Sequence, residues 1–553
     1  MTQMNPIRVA IFQANPTLGA VAANAAALRA AARDLSPETQ LFVAPELYLL
    51  GYPPDDLVGS SGVLAAVRAA LDNLATELRT GPAVLIGAPI ADARGPEKIV
   101  NAAVLIEHGQ WRVVAEKMML PDTGVFDDSR VFMPGTGPGV IEIGGKAIGV
   151  MVCEDGWHPE PLELLLSRAP SPLEQIIIIN ASPFERGKLS ERHAVIRARA
   201  ARARVPFLYV NMVGGQDELV FDGGSFAMDA RGEITSQSPS FETGVFVSRQ
   251  AEKKLDEWEE SYRAIMLGTQ DYVRKNDFKT VCLGLSGGVD SALVAAIAVD
   301  TLGAENVTAM ILPSEYSSVE TQADARTQAE KFGIKIVEAS ITPMQKSLET
   351  SLKDALGTKL NDIAAQNIQS RLRGVMLMAL SNQTGALLLT TGNKSEIAVG
   401  YATLYGDMNG GFNPIKDLYK TDVYALCEWR NKNLRNVGQI AAPILPSILS
   451  RAPSAELRPG QTDQDTLPPY ELLDDILRAL VEGNGVPELL AAFDTDLVLR
   501  IRNGLDRAEY KRRQAAPGPK VTRKAFGRDR RWPMTHAHSQ SGHADDRNRP
   551  THE

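Results

Sequence analysis

Along the first 248 positions, apolar residues fall into short runs separated by turn residues. IRVAIFQ, QLFVAPEL, AVLIGAPI, NAAVLIE, AIGVMVCED, QIIIINAS and PFLYVNMV are each of strand length, and many end at Gly, Pro or Asn. Alanine-rich stretches at 21–35 and 64–78 lie between some of them and predict helices. Strands alternating with helices indicate an α/β architecture. The segment 249–275 is charged and helix-like, and is expected to link two domains. A second series follows over 276–534, with TVCLGLS, NVTAMILP, KIVEAS and GALLLTTGN as strands between helical stretches. That alternation predicts a parallel sheet. The last stretch, 535–553, has almost no large apolar residue and is expected to be disordered. Its histidines are irregularly spaced and joined by no cysteine, so they do not read as a metal site.

Composition sharpens the picture in three places. A chain of 553 residues is too long for one ordinary core. A net charge of −9 disfavours nonspecific nucleic-acid binding. No run approaches ~18 uninterrupted apolar residues, and the amino-terminus lacks the parts of a signal peptide, so no membrane span is expected. Three cysteines, Cys153, Cys282 and Cys427, cannot build a disulfide framework and suggest a reducing cytoplasm. One region departs from the acidic balance: 505–532 holds ten Lys/Arg against three acidic residues. It reads either as a solvated basic face or as a clamp on a polyanionic small substrate.

Candidate chemistry appears first around Cys153, where an apolar strand ends and CEDGW turns. Glu46 in APELYLLGYPP and Lys117 in VVAEKMMLP also follow apolar runs. Strand ends are where α/β folds place reactive groups. The blocks APELYLLGYPP, EKMMLPDTGVFDDSRVF, GVMVCEDGW, NASPFERGK and NMVGGQDELVFDGGS resemble the nitrilase-type carbon–nitrogen hydrolases. That resemblance implies a four-layer αββα sandwich over 1–248 and a catalytic set of Glu46, Lys117 and Cys153. In its glutaminase branch, glutamine contacts would fall at Ser182 and Lys188. A further contact would fall at Thr123, where the family usually has tyrosine.

A second centre is GLSGGVDS, Gly284, Leu285, Ser286, Gly287, Gly288, Val289, Asp290 and Ser291, between an apolar strand and an apolar helix. Such a turn aims backbone N–H groups and a helix start at phosphate. It lacks the lysine of the common P-loop. Asp290 stands where Mg²⁺ would bridge to phosphate oxygens. The motif resembles the pyrophosphate loop of ATP pyrophosphatases, and the blocks at 366–382, 387–421 and 451–477 resemble the NAD synthetases. In this order the two halves resemble the family of glutamine-dependent NAD⁺ synthetases, the second half as a Rossmann-like parallel α/β domain. The resemblance implies further ATP contacts at Thr391, Lys420 and Ser454. It places Mg²⁺ on Asp290 and Glu396, and deamido-NAD⁺ on Arg371, Glu396 and Lys511. Gln366 stands where the family usually has glutamate.

The expected function is ATP-dependent amidation of deamido-NAD⁺ through an adenylate, with ammonia from glutamine and an internal route between the two centres. The alternative is an amidotransferase acting on another carboxylate. ATP is the expected co-substrate and Mg²⁺ the expected ion. The partners are small molecules, without nucleic acid or membrane, and the resemblance implies a homo-oligomer.

Overall fold

The computed structural model describes residues 7–92, 95, 98–247, 255–433, 437–438, 440–483, 489 and 491–537. The tail expected to be disordered lies outside the described residues from 538 onward, as do 249–254 of the expected linker. The chain divides into two units, Met1–Leu255 and Asp256–Glu553.

The first unit has strands β1 (Val9–Gln13), β2 (Leu41–Val43), β3 (Ala83–Ala91), β4 (Ile99–Glu107), β5 (Gln110–Glu116), β6 (Gly139–Ile143), β7 (Lys146–Val152), β8 (Gln175–Asn180), β9 (Phe207–Asn211), β10 (Val213–Gln216), β11 (Leu219–Asp222), β12 (Phe226–Met228), β13 (Ile234–Gln237) and β14 (Gly244–Val247). Its longer helices are α1 (Val21–Arg33), α2 (Val63–Glu77), α3 (Pro159–Arg168) and α4 (Lys188–Ala203). Two six-stranded sheets form, in the orders β14-β1-β2-β3-β4-β5 and β13-β12-β9-β8-β7-β6.

Side-chain alternation sorts these strands into layers. Ile177 and Ile179 of β8 join Val150 and Val152 of β7 in a core shared with Leu41, Val43, Leu85 and Leu105 of the other sheet. Ile176 and Ile178 point the other way, onto Leu162 and Leu165 of α3 and Ile196 of α4. On the far side, Phe42, Val84 and Ile86 meet Leu28 of α1 and Leu71 and Leu74 of α2. The layers are therefore helix, sheet, sheet, helix, as the hydrolase resemblance implied. Burial on both faces explains why QIIIIN shows no polar alternation.

A glycine sets the approach of the first reactive segment. A side chain at Gly87 on β3 would place its Cβ 2.2 Å from the Leu47 backbone nitrogen. Leu47 itself holds a left-handed φ of 47°. The bare glycine lets the elbow carrying Glu46 lie flat on β3. Gly87→Ala is expected to destabilise the first unit by about 3 kcal/mol through overpacking, measured by urea unfolding.

The second unit has a parallel sheet of β15 (Val281–Gly284), β16 (Val307–Ile311), β17 (Lys335–Glu338) and β18 (Leu387–Leu389), ordered β17-β16-β15-β18. Helices α5 (Glu257–Lys275), α6 (Val289–Leu302), α7 (Val319–Phe332), α8 (Thr342–Leu356), α9 (Asp362–Thr384), α10 (Lys394–Val399) and α11 (Lys420–Lys432) accompany it. The chain leaves β15 for β16 and β17 on one side and returns as β18 on the other. Such a reversal opens a crevice at the carboxyl ends of the strands.

The charged segment forms α5, which packs as an element of the second unit. Asp256 caps it by accepting from the N–H of Trp258 and Glu259. Its buried Tyr262 donates to Asp300 at 2.6 Å, and Arg430 of α11 donates to the same carboxylate at 2.6 Å.

Candidate active sites

In the first unit, Glu46, Lys117 and Cys153 converge. Glu46 follows β2, Lys117 follows β5 and Cys153 follows β7. Glu46 and Lys117 are fully buried, and Cys153 is 5% exposed. Lys117 Nζ donates to Glu46 Oε1 at 2.8 Å. The Cys153 thiol lies beside Glu46 and within the field of both charged groups. Cys153 opens a 3₁₀ turn with a left-handed φ of 44°. A non-glycine residue in that region is strained, and such strain clusters at reactive sites.

Four groups hold this set in place. Asn101, on β4, donates to Glu46 Oε1 at 2.7 Å. The Ala181 backbone N–H donates to Glu46 Oε2 at 2.8 Å. Asp128 takes Lys117 Nζ at 2.7 Å and the Tyr52 hydroxyl at 2.9 Å. Asp155 Oδ1 accepts from the backbone N–H of Met118 at 3.0 Å and Met119 at 2.8 Å, fixing the chain just past Lys117.

The electrostatics follow from burial and charge. Burial and the adjoining Glu46 push the Cys153 thiol well above its ordinary range, against the pull of Lys117. The resting group is thus a thiol, and it needs a base in contact to react. Burial would lower the Lys117 ammonium, but Glu46 and Asp128 outweigh it and hold the group well above its usual value. Burial raises the Asp128 carboxyl despite Lys117.

Burial also pushes Asp155 up to about 7, against two backbone hydrogen bonds. An unfolded aspartate ionises near pH ~4, so between about pH 4 and 7 the folded protein binds a proton the unfolded chain has released. The contribution of Asp155 to stability therefore falls as pH rises through that window. Asp155→Asn removes this dependence. Urea unfolding across the window should show wild type losing ground to the variant as pH rises.

Of the expected glutamine contacts, Ser182 is buried just past β8, beside the Ala181 N–H that holds Glu46. Lys188 begins α4, with its ammonium 4.6 Å from the ring centre of Trp157, four residues past Cys153. Thr123 is exposed on the turn between Pro121 and Asp128.

In the second unit, a cavity of about 690 Å³ opens at the carboxyl ends of β15, β16 and β18. Its wall includes the whole turn 284–291 and Thr391, Glu396, Lys420, Ser454 and Lys511, as well as Gln366. Gly287 holds φ 82°, and a Cβ there would lie 2.2 Å from the Thr321 carbonyl oxygen. The Ser286 and Ser291 hydroxyls lie 3.1 Å apart across the turn. Gly288 then starts α6, which directs its N-terminus to the cavity.

One buried ammonium organises the charges. Lys420 Nζ meets Asp290 Oδ2 at 2.5 Å and Glu396 Oε1 at 3.0 Å. Asn393 donates to Asp290 Oδ1 at 2.9 Å, and its side-chain oxygen caps α10 at the Glu396 N–H. Tyr470 donates to Glu396 Oε1 at 3.3 Å and to Asp463 at 2.8 Å. Two carboxylates thus converge on one cation. Mg²⁺ takes one or two protein carboxylates with phosphate oxygens and water, and this pair fits that pattern. Among the described residues no group of three or more His, Cys, Asp or Glu is placed to hold a metal.

Arg371 is not part of the cavity wall; its Nε donates to the Leu404 carbonyl at 3.1 Å. Arg373, two residues on, does line it, and burial pushes its guanidinium down to about 10 although Glu456 opposes this. Lys511 Nζ donates to the carbonyls of Gly400 and Ala402, bracing the segment beside α10. Of the ten cations in the basic stretch, Arg507, Arg513, Arg523, Lys524 and Arg531 are exposed, Lys511 lines the cavity, and others are held in ion pairs. Glu509 takes Arg512 at 2.9 Å, Arg513 at 2.8 Å and Arg530 at 3.4 Å. Lys520 lies 3.4 Å from Asp529.

Asp128, Asn101, Asp155 and Arg373 were not singled out from the sequence. Asn101 alone carried a signal, as a polar residue within the apolar run NAAVLIE.

Comparison with known proteins accounts for both units. Residues 8–260 match the carbon–nitrogen hydrolase family and residues 261–515 the NAD synthase family. A glutamine-dependent NAD⁺ synthetase from Rhodobacter capsulatus is 46% identical over 95% of this chain and 98% of its own. One from Synechocystis is 40% identical over 97% and 99%. The structure of a glutamine-dependent NAD⁺ synthetase from Acinetobacter baumannii with adenosine diphosphate is 35% identical, covers 96% of this chain and 98% of its own, and superposes with a TM-score of 0.76. With both units matched in this order over nearly the full length of such relatives, the chain belongs to the family of glutamine-dependent NAD⁺ synthetases.

Proposed function

We propose that this chain makes NAD⁺ by amidating deamido-NAD⁺, with nitrogen drawn from glutamine and energy from ATP. The carrying observation is that one chain holds a buried Glu46–Lys117–Cys153 set and, in its other unit, a glycine turn facing a cavity with Asp290, Glu396 and Lys420.

At the first site, Glu46 takes the Cys153 proton as sulfur attacks the carboxamide carbon of glutamine. Lys117 offsets charge growing on the carboxamide oxygen. Glu46 returns the proton to nitrogen as ammonia leaves, and a thioester remains. Water, deprotonated by the same carboxylate, then frees glutamate. Asp128 keeps Lys117 charged and aimed. Ser182 and Lys188 hold glutamine, and Thr123 borders its entrance.

At the second site, the amides and hydroxyls from Gly284 to Ser291 bind the ATP phosphates, with Thr391, Lys420 and Ser454 as further contacts. A carboxylate oxygen of deamido-NAD⁺ attacks the α-phosphorus and pyrophosphate departs. Ammonia then displaces AMP from the adenylate. Asp290 and Glu396 would hold Mg²⁺, which when bound would supply charge neutralisation at the phosphate oxygens. Glu396 and Lys511 sit where deamido-NAD⁺ would lie, and Arg373 joins them from the wall. Arg371, whose Nε donates to the Leu404 carbonyl, is a further contact to deamido-NAD⁺.

Ammonia made within the same chain reaches the adenylate at higher local concentration than from solution, and an internal route would keep it unprotonated. The reading includes a cytoplasmic homo-oligomer without nucleic-acid or membrane partners. No described helix is long and apolar enough to cross a membrane. Val375 on α9 and Leu356 at the end of α8 are exposed apolar residues available to a second copy.

The test of substrate is a panel of deamido-NAD⁺, nicotinate, nicotinate mononucleotide and aspartate, with Mg-ATP and glutamine. AMP and pyrophosphate are expected in equal amounts with deamido-NAD⁺. A stronger response to another carboxylate would favour the alternative amidotransferase.

A further inference from the structure

The start of α11, which carries Lys420, is capped from outside its own helix. Tyr419 stands at the capping position and makes no side-chain cap. The first N–H groups of a helix have no partner within it, and buried ones must find partners elsewhere. Here the Lys420 N–H donates to the Ser395 hydroxyl oxygen at 2.9 Å. The Thr421 N–H donates to Asp474 Oδ2 at 2.9 Å, and the Thr421 hydroxyl donates to the same oxygen at 2.8 Å. The Ser395 hydroxyl in turn donates to Asp474 Oδ1. Both oxygens of Asp474 are thus engaged at the junction of α10 and α11.

Asp474 belongs to a helix, α12 (Tyr470–Val481), that is seated on the same elements. Leu473, Ile476 and Leu477 share one core with Ile397 and Ala398 of α10 and with Tyr419. Asp474 is buried and is not part of the cavity wall. One turn earlier on the same face, Tyr470 donates to Glu396 Oε1. The helix therefore holds α10 at two points, the Ser395 hydroxyl and the Glu396 carboxylate. A backbone bond from the Lys394 N–H to the Leu418 carbonyl, 2.8 Å long, also joins α10 to the segment before α11. One such bond is a pivot. The bridge through Asp474 adds anchors on a third element and removes that freedom.

We propose that Asp474 is a positioning residue for adenylation: by capping α11 from α12 and holding Ser395, it keeps the Lys420 ammonium seated on Glu396 and Asp290. This rests on the role given to Lys420 above. Asp474 touches no reacting group, so it acts only through the residues that it fixes.

The test is exchange of labelled pyrophosphate into ATP with deamido-NAD⁺ present, resolved into kcat and KM for Mg-ATP. Asp474→Asn keeps the shape but replaces one acceptor oxygen by an amide group that can only donate, against a junction made of donors. It should lower kcat roughly 10²-fold, the cost of misplacing a group by about 1 Å, with KM changed by less than ~3-fold. In the Lys420→Met background the same substitution should cost less than ~3-fold more, because the group it acts through is already gone. Ser395→Ala removes one link of the bridge and leaves the rest, and should lower kcat roughly 10-fold, about one hydrogen bond. Thermal melting reports on folding of each variant, and Ser395→Ala with its Lys420→Met double decides the matter if Asp474→Asn does not fold. Losses that multiply in full in the Lys420→Met background would overturn the proposal, as would a raised KM with kcat preserved, or exchange at the wild-type rate. Exchange at the wild-type rate in Lys420→Met alone would instead overturn the role of Lys420 on which the proposal rests.

Discussion

Cys153→Ala is expected to abolish NAD⁺ formation from glutamine while leaving formation from free ammonium near the wild-type rate. The nucleophile has no substitute in its surroundings. Its neighbours Glu46 and Lys117 are a base and a cation locked to each other at 2.8 Å. Asn101 and the Ala181 N–H only orient Glu46. Loss of a covalent nucleophile from a triad-like set costs on the order of 10⁴-fold or more, with residual rate coming from binding and charge alone. The second cavity is built from another unit of the chain, so its chemistry with supplied ammonia should persist. Ammonia release from glutamine and NAD⁺ production, measured on the same sample, check both halves. Equal loss with glutamine and with ammonium would mean that Cys153 supports the synthetase unit in some way other than nitrogen supply.

Lys420→Met is expected to cut adenylate formation by roughly 10²- to 10³-fold, the range for losing one preorganised charge at a developing anion. Lys420 is 3% exposed and bridges Asp290 to Glu396, so it is no surface cation. The two carboxylates raise its proton affinity further against the effect of burial, so it stays charged throughout the working range. Methionine keeps the stem and removes the charge, leaving two partly buried carboxylates without their shared cation. Lys420→Arg should recover part of the rate. Exchange of labelled pyrophosphate into ATP, which needs deamido-NAD⁺ but no nitrogen donor, isolates this step. An unchanged exchange rate would remove Lys420 from the phosphate chemistry.

Residues that end strands were the legible ones. Glu46, Lys117 and Cys153 each follow an apolar run, and the αββα layering brings those ends together. The turn 284–291 was equally plain, because its glycines separate an apolar strand from an apolar helix. Groups that orient these residues were hidden for physical reasons. Asp128 lies in a loop beside Asp122 and Asp127, and only the folded chain selects it for Lys117. Arg371 and Arg373 are two positions apart on α9, roughly 200° around a helix, so one faces the cavity and the other does not. Choosing between them requires the rotation of the helix, which a run as apolar on several sides as this one does not declare. In the basic stretch at 505–532, composition shows ten cations but not which of them are paired. Its acidic partners Glu509 and Asp529 are few, but each is shared or buried, and composition does not count sharing. Short strands such as β12 and β13, with Ser, Thr and Gln among their residues, carried too little apolar pattern to stand out.

The central claim is that nitrogen released at Cys153 is the nitrogen that enters the pyridine carboxamide. Incubation with amide-¹⁵N glutamine, deamido-NAD⁺ and Mg-ATP, in the presence of excess unlabelled ammonium, tests it most directly by mass spectrometry of the NAD⁺ formed. The account predicts product enriched in ¹⁵N well beyond the labelled share of free ammonia. NAD⁺ carrying only the isotope ratio of the bulk ammonia, or no NAD⁺ despite glutamine hydrolysis and ATP turnover, would contradict it.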